Sequence, residues 1–373
     1  MLINQAFWSL LQAGLWQKAL PCIDVPLSSI QWDELHRFAK KQTLEGIIFD
    51  GMIHLPEEQQ PDELLRLKWY GRVNKTEQTH RLLNHVLVEV VSGLEAEDIP
   101  SMLLKGQGNA SFYLNPLRRH CGDIDLFVGR KNYQKACELM KSWGMEGDES
   151  IKHFHGEWHG VHIEIHRVAA YFNSKRKTKQ IVEWSERLLE ESKTTFIPSY
   201  ETKPIAIPTP EFNVLFVFYH LFNHFTESGI GLRQLCDLAR MLHVFHQKLD
   251  LSLLEKHLQN YELMHPWQVF GYLLVHWLGL TQEEFPFYKD TKEKAERVLK
   301  VILNEGNFGY YSGKQKHRFS SYLGRKWESF CSQTNRYLRL MRLFPSWMLG
   351  NYVVFVLHGT QVALKGLLNK EKR

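Results

Sequence analysis

The run Asp123-Ile124-Asp125-Leu126-Phe127-Val128 places two carboxylates, one residue apart, inside an otherwise apolar stretch. On a strand, alternate side chains share a face. Asp123 and Asp125 then point one way, and Ile124, Leu126 and Val128 point the other. The apolar set can be buried while both acids meet at one edge of a sheet. Two like charges so close repel, and each raises the other's pKa; a divalent cation between them removes the repulsion. Such oxygen sites suit Mg²⁺ held together with substrate phosphates. A bare D-x-D also closes ordinary surface strands, so the rest of the chain has to decide.

A second alternating run, Val161-His162-Ile163-Glu164-Ile165-His166, reads as another strand. Its apolar face is Val161, Ile163 and Ile165, which leaves Glu164 as an acid at mid-strand. If the two strands are neighbours, Glu164 completes a triad with Asp123 and Asp125, the ligand set of two-metal phosphoryl or nucleotidyl transfer. Upstream, Lys105-Gly106-Gln107-Gly108 closes an apolar run. Gly106 and Gly108 let the backbone turn tightly and bring N–H groups to an anion, and Lys105 adds a point charge for a phosphate.

The 373 residues allow two domains or one with large additions, and 44% hydrophobic with 23% charged residues is a globular composition. A formal net charge of +5 is compatible with nucleotides but too small to imply nucleic acid by itself. Cys22, Cys121, Cys137, Cys236 and Cys331 are dispersed, with no metal-ligand spacing. Reduced thiols in a cytoplasmic protein are the simplest reading. The first twenty residues read as an amphipathic helix and not as a signal peptide. The apolar stretch 347–366 is interrupted by Asn351, His358, Thr360 and Gln361, so a buried helix is expected there rather than a membrane span.

Three regions follow from the pattern. Residues 1–98 are helical, with one long helix from about Leu64 to Leu94. Residues 99–208 form a small α/β core, in which Gly144 caps a helix and 196–212 is a proline-rich linker with one short strand. Residues 209–373 are helical again and rich in aromatic residues.

Other polar groups have plainer alternatives. His153, His155, His159, His162 and His166 crowd one segment, but no cysteine lies near and the spacing suits a hairpin around Gly156–Gly160. His166 is expected beside Glu164 or against substrate, not on zinc. His220 and His224 share a helical face without a zincin glutamate, which favours core or substrate-lining roles. Arg233 and Asp237 are either a helical ion pair or, for Arg233, a triphosphate contact. The basic, aromatic stretch 314–344 is expected to be a solvated helix with an aromatic core face, and it leaves room for RNA or peripheral membrane contact.

Leu104-Lys105-Gly106, Tyr113, Pro116, Arg119 and Gly122-Asp123-Ile124-Asp125-Leu126 with Val128 resemble the uncharacterised bacterial nucleotidyltransferases of the polymerase-β-like superfamily. Glu164 with His166, and later His220, His224, Leu232, Arg233 and Asp237, match further parts of that family's pattern. The resemblance implies an α+β fold, a minimal nucleotidyltransferase sheet flanked by helical regions. It also implies two Mg²⁺ ions and an NTP donor. Asp123, Asp125 and Glu164 are then the metal-binding catalytic acids. Lys105, Gly106, Gly108, Arg119 and Arg233 face the nucleotide; His166, His220 and His224 face an unidentified acceptor. Two positions depart from the superfamily: Gln107 stands where serine is usual, and Glu164 where aspartate is commoner. They motivate the alternative of a catalytically inactive nucleotide-binding or scaffold protein.

Overall fold

A computed structural model of the chain describes residues 5–17, 27–150, 152–191, 194–198, 203–307 and 322–368. Cys22 and the basic residues of 314–321 lie outside the described residues. Helices come first: α1 (Gln5–Trp16), α2 (Ser29–Lys41), α3 (Glu45–Met52) and α4 (Glu63–Ala96). α2 opens on a capping box, with Ser28 N–H donating to Gln31 Oε1 at 2.8 Å. Asp62 caps α4 by accepting from the Leu65 N–H at 3.0 Å, a contribution of about 1 kcal/mol. Along α4, Leu65, Trp69, Val73, Leu83, Leu87, Val90 and Leu94 are buried at helical spacing, and each large side chain adds roughly 1.5–3 kcal/mol of apolar burial. α1 is buried on nearly every side because it lies tight against α3. A Cβ added at Gly14 would sit 1.9 Å from the Ile47 carbonyl oxygen, and one at Gly51 would sit 2.0 Å from that of Leu10.

The middle region runs β1 (Met102–Leu104), α5 (Gly106–Ala110), β2 (Asp123–Phe127), α6 (Gly129–Ser142), β3 (Gly147–Glu149), β4 (His153–Trp158), β5 (Val161–His166), α7 (Lys175–Glu190), β6 (Thr194–Pro198) and β7 (Pro204–Pro208). Five strands form one mixed sheet in the order β1-β2-β5-β4-β3. Only β2 and β5 pair in parallel. The crossover between them contains α6, which ends at Gly144 in a left-handed conformation, as the sequence suggests. The fold is thus mostly helical α+β with the sheet in the middle.

The hairpin expected around Gly156–Gly160 forms between β4 and β5: its turn is the pair His159-Gly160, both with positive φ, and Gly156 belongs inside β4 opposite Ile163. One local expectation needs correction. The proline-rich linker makes two strands, not one: β6 and β7 pair antiparallel, and Ile205 and Ile207 are buried. Pro198, Pro204 and Pro208 stand at strand ends, where a missing N–H is tolerated.

The last region holds α8 (Pro210–Glu227), α9 (Leu232–Phe245), α10 (Leu251–Asn260), α11 (Met264–His276), α12 (Lys292–Glu305), α13 (Tyr322–Met341) and α14 (Pro345–Leu368). One continuous apolar cluster runs from Ala6 to Met348, through all three regions. α14 is only partly buried: Met348 and Asn351 face inward, while Leu349, Val353 and Leu357 are exposed. No described helix is long and apolar enough to cross a membrane.

Candidate functional site

Register places the acids. Asp125 pairs with Glu164 across β2 and β5, Asp123 pairs with His162, and Phe127 with His166. On β4, His155 pairs with Glu164 and His153 with His166. One face of three adjacent strands therefore carries Asp123, Asp125, Glu164, His166, His153 and His155. The opposite face carries Ile124, Leu126, Phe154, Ile163 and Ile165, all fully buried. Burying that apolar set fixes the register, because a one-residue slip would turn the acids into the core.

Asp125 is 1% exposed and engages its partners through Oδ1, with Lys105 Nζ at 3.1 Å and His166 Nε2 at 2.8 Å. The same His166 nitrogen lies 3.3 Å from Glu164 Oε2, so the two acids share one imidazole. His155 Nδ1 approaches the other Glu164 oxygen at 3.4 Å.

The electrostatics divide these groups. Burial works to raise the Asp125 carboxyl, but Lys105 and His166 hold it well below the usual carboxylate range. Asp123 moves the other way: burial and the charge of Asp125 raise it, against weaker help from Lys105. The hydrogen bond from His166 lowers Glu164. Burial pulls His166 down, yet its bonds to Asp125 and Glu164 leave it raised.

Lys105 itself sits at φ 57°, ψ −140°, an uncommon conformation for a residue with a Cβ and one that costs on the order of 1–3 kcal/mol. Gly106 follows at φ +43°, and a Cβ there would come within 3.2 Å of the Asp123 carbonyl oxygen. The Lys-Gly turn thus bends sharply between β1 and α5 and brings Lys105 back over β2. Gln107 is 4% exposed, and neither end of its amide has a hydrogen-bond partner among the described residues.

α8 supplies His220 and His224, with ring centroids 4.3 Å apart. Burial, with the charge of Lys105, lowers both, His224 to about 4 and His220 well below its ordinary value. Both feel Asp125 as well, so α8 lies over the carboxylate side of the sheet.

Arg119, expected against phosphate, is 4% exposed and forks onto Asp237, with Nε to Oδ1 at 3.0 Å and Nη2 to Oδ2 at 2.5 Å. Tyr113 OH donates to the same Asp237 at 2.8 Å. A phosphate contact would have to break a buried, bidentate pair. Arg233 is correspondingly not the main partner of Asp237. Its Nη1 donates to the His120 carbonyl at 2.6 Å, and its buried Nε has no partner among the described residues. Arg233 also lowers Asp123, so it stands on the side of the acids.

Sequence reasoning set His153 and His155 aside. The signal that finds them is their place in the alternation of β4, which puts both on the face of Glu164.

No curated protein and no solved structure matches the chain. The family described as uncharacterised nucleotidyltransferase matches residues 28–279, which takes in α2 through α11 and every residue of this site. With that match over more than half of its length, the chain belongs to the uncharacterised nucleotidyltransferase family.

Proposed function

We propose that the chain transfers a nucleoside monophosphate from an NTP to an acceptor hydroxyl or phosphate. The observation that carries this reading is the alignment of Asp125 with Glu164, with Asp123 on the same face and Lys105 3.1 Å from Asp125. Within a nucleotidyltransferase family, that is a metal-competent acid set with a phosphate-binding charge beside it. In the step itself, the acceptor oxygen bonds to the α-phosphorus and the bond to the bridging oxygen of the β-phosphate breaks. Pyrophosphate leaves with that electron pair. The acceptor's proton passes to Glu164 or, where Glu164 is a metal ligand, to solvent.

The donors of Asp123, Asp125 and Glu164 fit Mg²⁺, since all are carboxylate oxygens, and the raised Asp123 carboxyl reflects a repulsion that a cation relieves. Bound Mg²⁺, two ions on this reading, neutralises triphosphate charge and polarises the phosphorus under attack. The chain's own groups do the rest. Lys105 and the Gly106–Gly108 backbone hold phosphate oxygens, and Arg233 reaches the same charge from α9. The unpartnered amide of Gln107 stands in the place of the superfamily's serine. His166, His220 and His224 line the acceptor side, the last two as neutral imidazoles.

The test is transfer from NTPs radiolabelled at the α-phosphate, with Mg²⁺ and fractionated cell extract as the acceptor source. Labelled products that depend on Asp123 and Asp125 are expected. If the Asp123→Ala/Asp125→Ala protein labels the same products at the same rate, the assignment is wrong. A second reading, nucleotide binding without turnover, is favoured by Gln107 and by the hold of Lys105 and His166 on one oxygen of Asp125. Calorimetry showing tight ATP binding, with no transfer in any fraction, selects it.

A further inference from the structure

The face that carries the acids also carries nitrogen. His153 on β4 pairs directly with His166 on β5, their ring centroids 5.6 Å apart. Glu164 lies two residues back along β5 on the same face. One donor atom from each of His153, Glu164 and His166 comes within 4.8 Å of the others. All three are partly exposed, so the space among them opens outward and is not sealed in the core.

The His153 ring has no hydrogen-bond partner among the described residues, which leaves its nitrogens free to ligate. His155 engages Glu164 Oε1 at 3.4 Å, while Oε2 faces His166. A carboxylate held from behind through one oxygen is oriented as outer partners orient metal ligands. The two acids gathered about His166 Nε2, at 2.8 and 3.3 Å, already favour positive charge at that point.

Two imidazoles and a carboxylate are not what Mg²⁺ selects, because it prefers oxygen and keeps its waters. Imidazole suits borderline transition ions, and two histidines with one acid leave positions open for water or substrate. We propose that His153, Glu164 and His166 form a nitrogen-rich site for a divalent transition cation of the Zn²⁺ class, beside the Asp123–Asp125 pair and joined to it through Glu164 and the His166–Asp125 contact. The site stands on its own geometry; only its place beside the triphosphate rests on the nucleotidyl-transfer reading. On binding, His166 offers the lone pair of its coordinating nitrogen, and an imidazolium there would release its proton to solvent.

The probe is Co²⁺ added to metal-stripped full-length protein, followed by visible absorption and competition with Zn²⁺. Wild type should bind one equivalent with the spectrum of nitrogen-ligated Co²⁺ and lose it to Zn²⁺. His153→Ala, on a partly exposed strand position, should fold normally by circular dichroism and bind Co²⁺ more than about 100-fold more weakly, beyond the loss of an outer partner. Asp123→Asn should keep the Co²⁺ spectrum while weakening Mg²⁺-ATP binding. Equal Co²⁺ affinity in wild type and His153→Ala, or no nitrogen-ligated spectrum in wild type, overturns the site. A Co²⁺ site that behaves as described in a protein without Mg²⁺-ATP binding upholds it and sinks the nucleotidyl-transfer reading instead. Mg²⁺-ATP binding without the Co²⁺ site does the reverse.

Discussion

Two buried aspartates in this chain sit in ion clusters of opposite design. Asp237 has both oxygens filled, by the fork of Arg119 and the hydroxyl of Tyr113. Asp125 meets Lys105 and His166 through one oxygen, and its neighbours Asp123, Glu164 and His166 stay partly exposed. The first cluster is closed: every strong group has its partner, and a ligand has nothing to add. The second is open and unbalanced, with three acids around one lysine and one histidine. Depth alone does not separate them, since both aspartates are almost fully buried. Saturation does, and it marks the closed cluster as a clamp between the loop after α5 and α9, and the open one as the place where the proposed transfer would occur.

The largest expected effect tests the clamp. Arg119→Ala strips the buried Asp237 carboxylate of its guanidinium and leaves it only the Tyr113 hydroxyl, so it should lose about 3–5 kcal/mol of unfolding free energy in denaturant titration. A loss below about 0.5 kcal/mol, the range of neutral surface changes, would erase the contrast. Pairing Arg119→Met with Asp237→Leu should recover much of the loss, because removing both charges removes the orphan.

At the open cluster the effect should fall on rate. Asp125→Ala should slow transfer by on the order of 10³-fold, the scale of several kcal/mol of lost charge stabilisation. Its unfolding midpoint should move far less than that of Arg119→Ala. Comparable damage to both quantities would mean that Asp125 is structural too.

Acid should weigh on both clusters alike. His80 Nδ1–H donates to the Arg119 carbonyl, 3.2 Å away, while His224 belongs to the wall over Asp125. Burial holds the folded pKa of each at about 4, against about 6.5 in an unfolded chain. Between those values the unfolded chain binds protons that the folded one refuses. Stability is therefore full above about 6.5 and falls as pH drops toward 4. Denaturant titrations at several pH values should show that slope. His80→Gln and His224→Gln should each flatten it, and a slope unchanged in both would assign it to other groups.

The smallest effects concern the groups between the clusters. Arg233→Ala should weaken nucleotide binding by roughly 10-fold or somewhat more, the worth of one charge-assisted hydrogen bond. His224→Ala should reduce acceptor saturation several-fold while leaving nucleotide affinity alone. If both variants instead lose stability with nucleotide affinity unchanged, the helical wall is structural and the acceptor enters elsewhere.

What was legible from the residues alone follows from range. The alternation through Asp123–Val128 and Val161–His166 reports which side chains share a face, and that is a property of neighbours two residues apart. The shared face of Asp123 and Asp125 and the mid-strand place of Glu164 were readable on that basis, and the long helix ending near Leu94 from its three- and four-residue spacing. The β6–β7 pair was misjudged because proline punctuates strands at their ends as well as loops. Partners far apart in the chain were beyond such reading. Spacing pairs Arg233 with Asp237, and the family resemblance sets Arg119 against phosphate, yet only packing brings Asp237, 118 residues on, against Arg119 and leaves Arg233 toward Asp123. The same holds for His153: its residue type is visible, but its convergence with Glu164 and His166 depends on β4 and β5 pairing in one register. Local periodicity is set by backbone geometry and so by the sequence itself. Which charge meets which is set by the burial of apolar surface across the whole chain, and that is settled only when the helices and sheet close on one another.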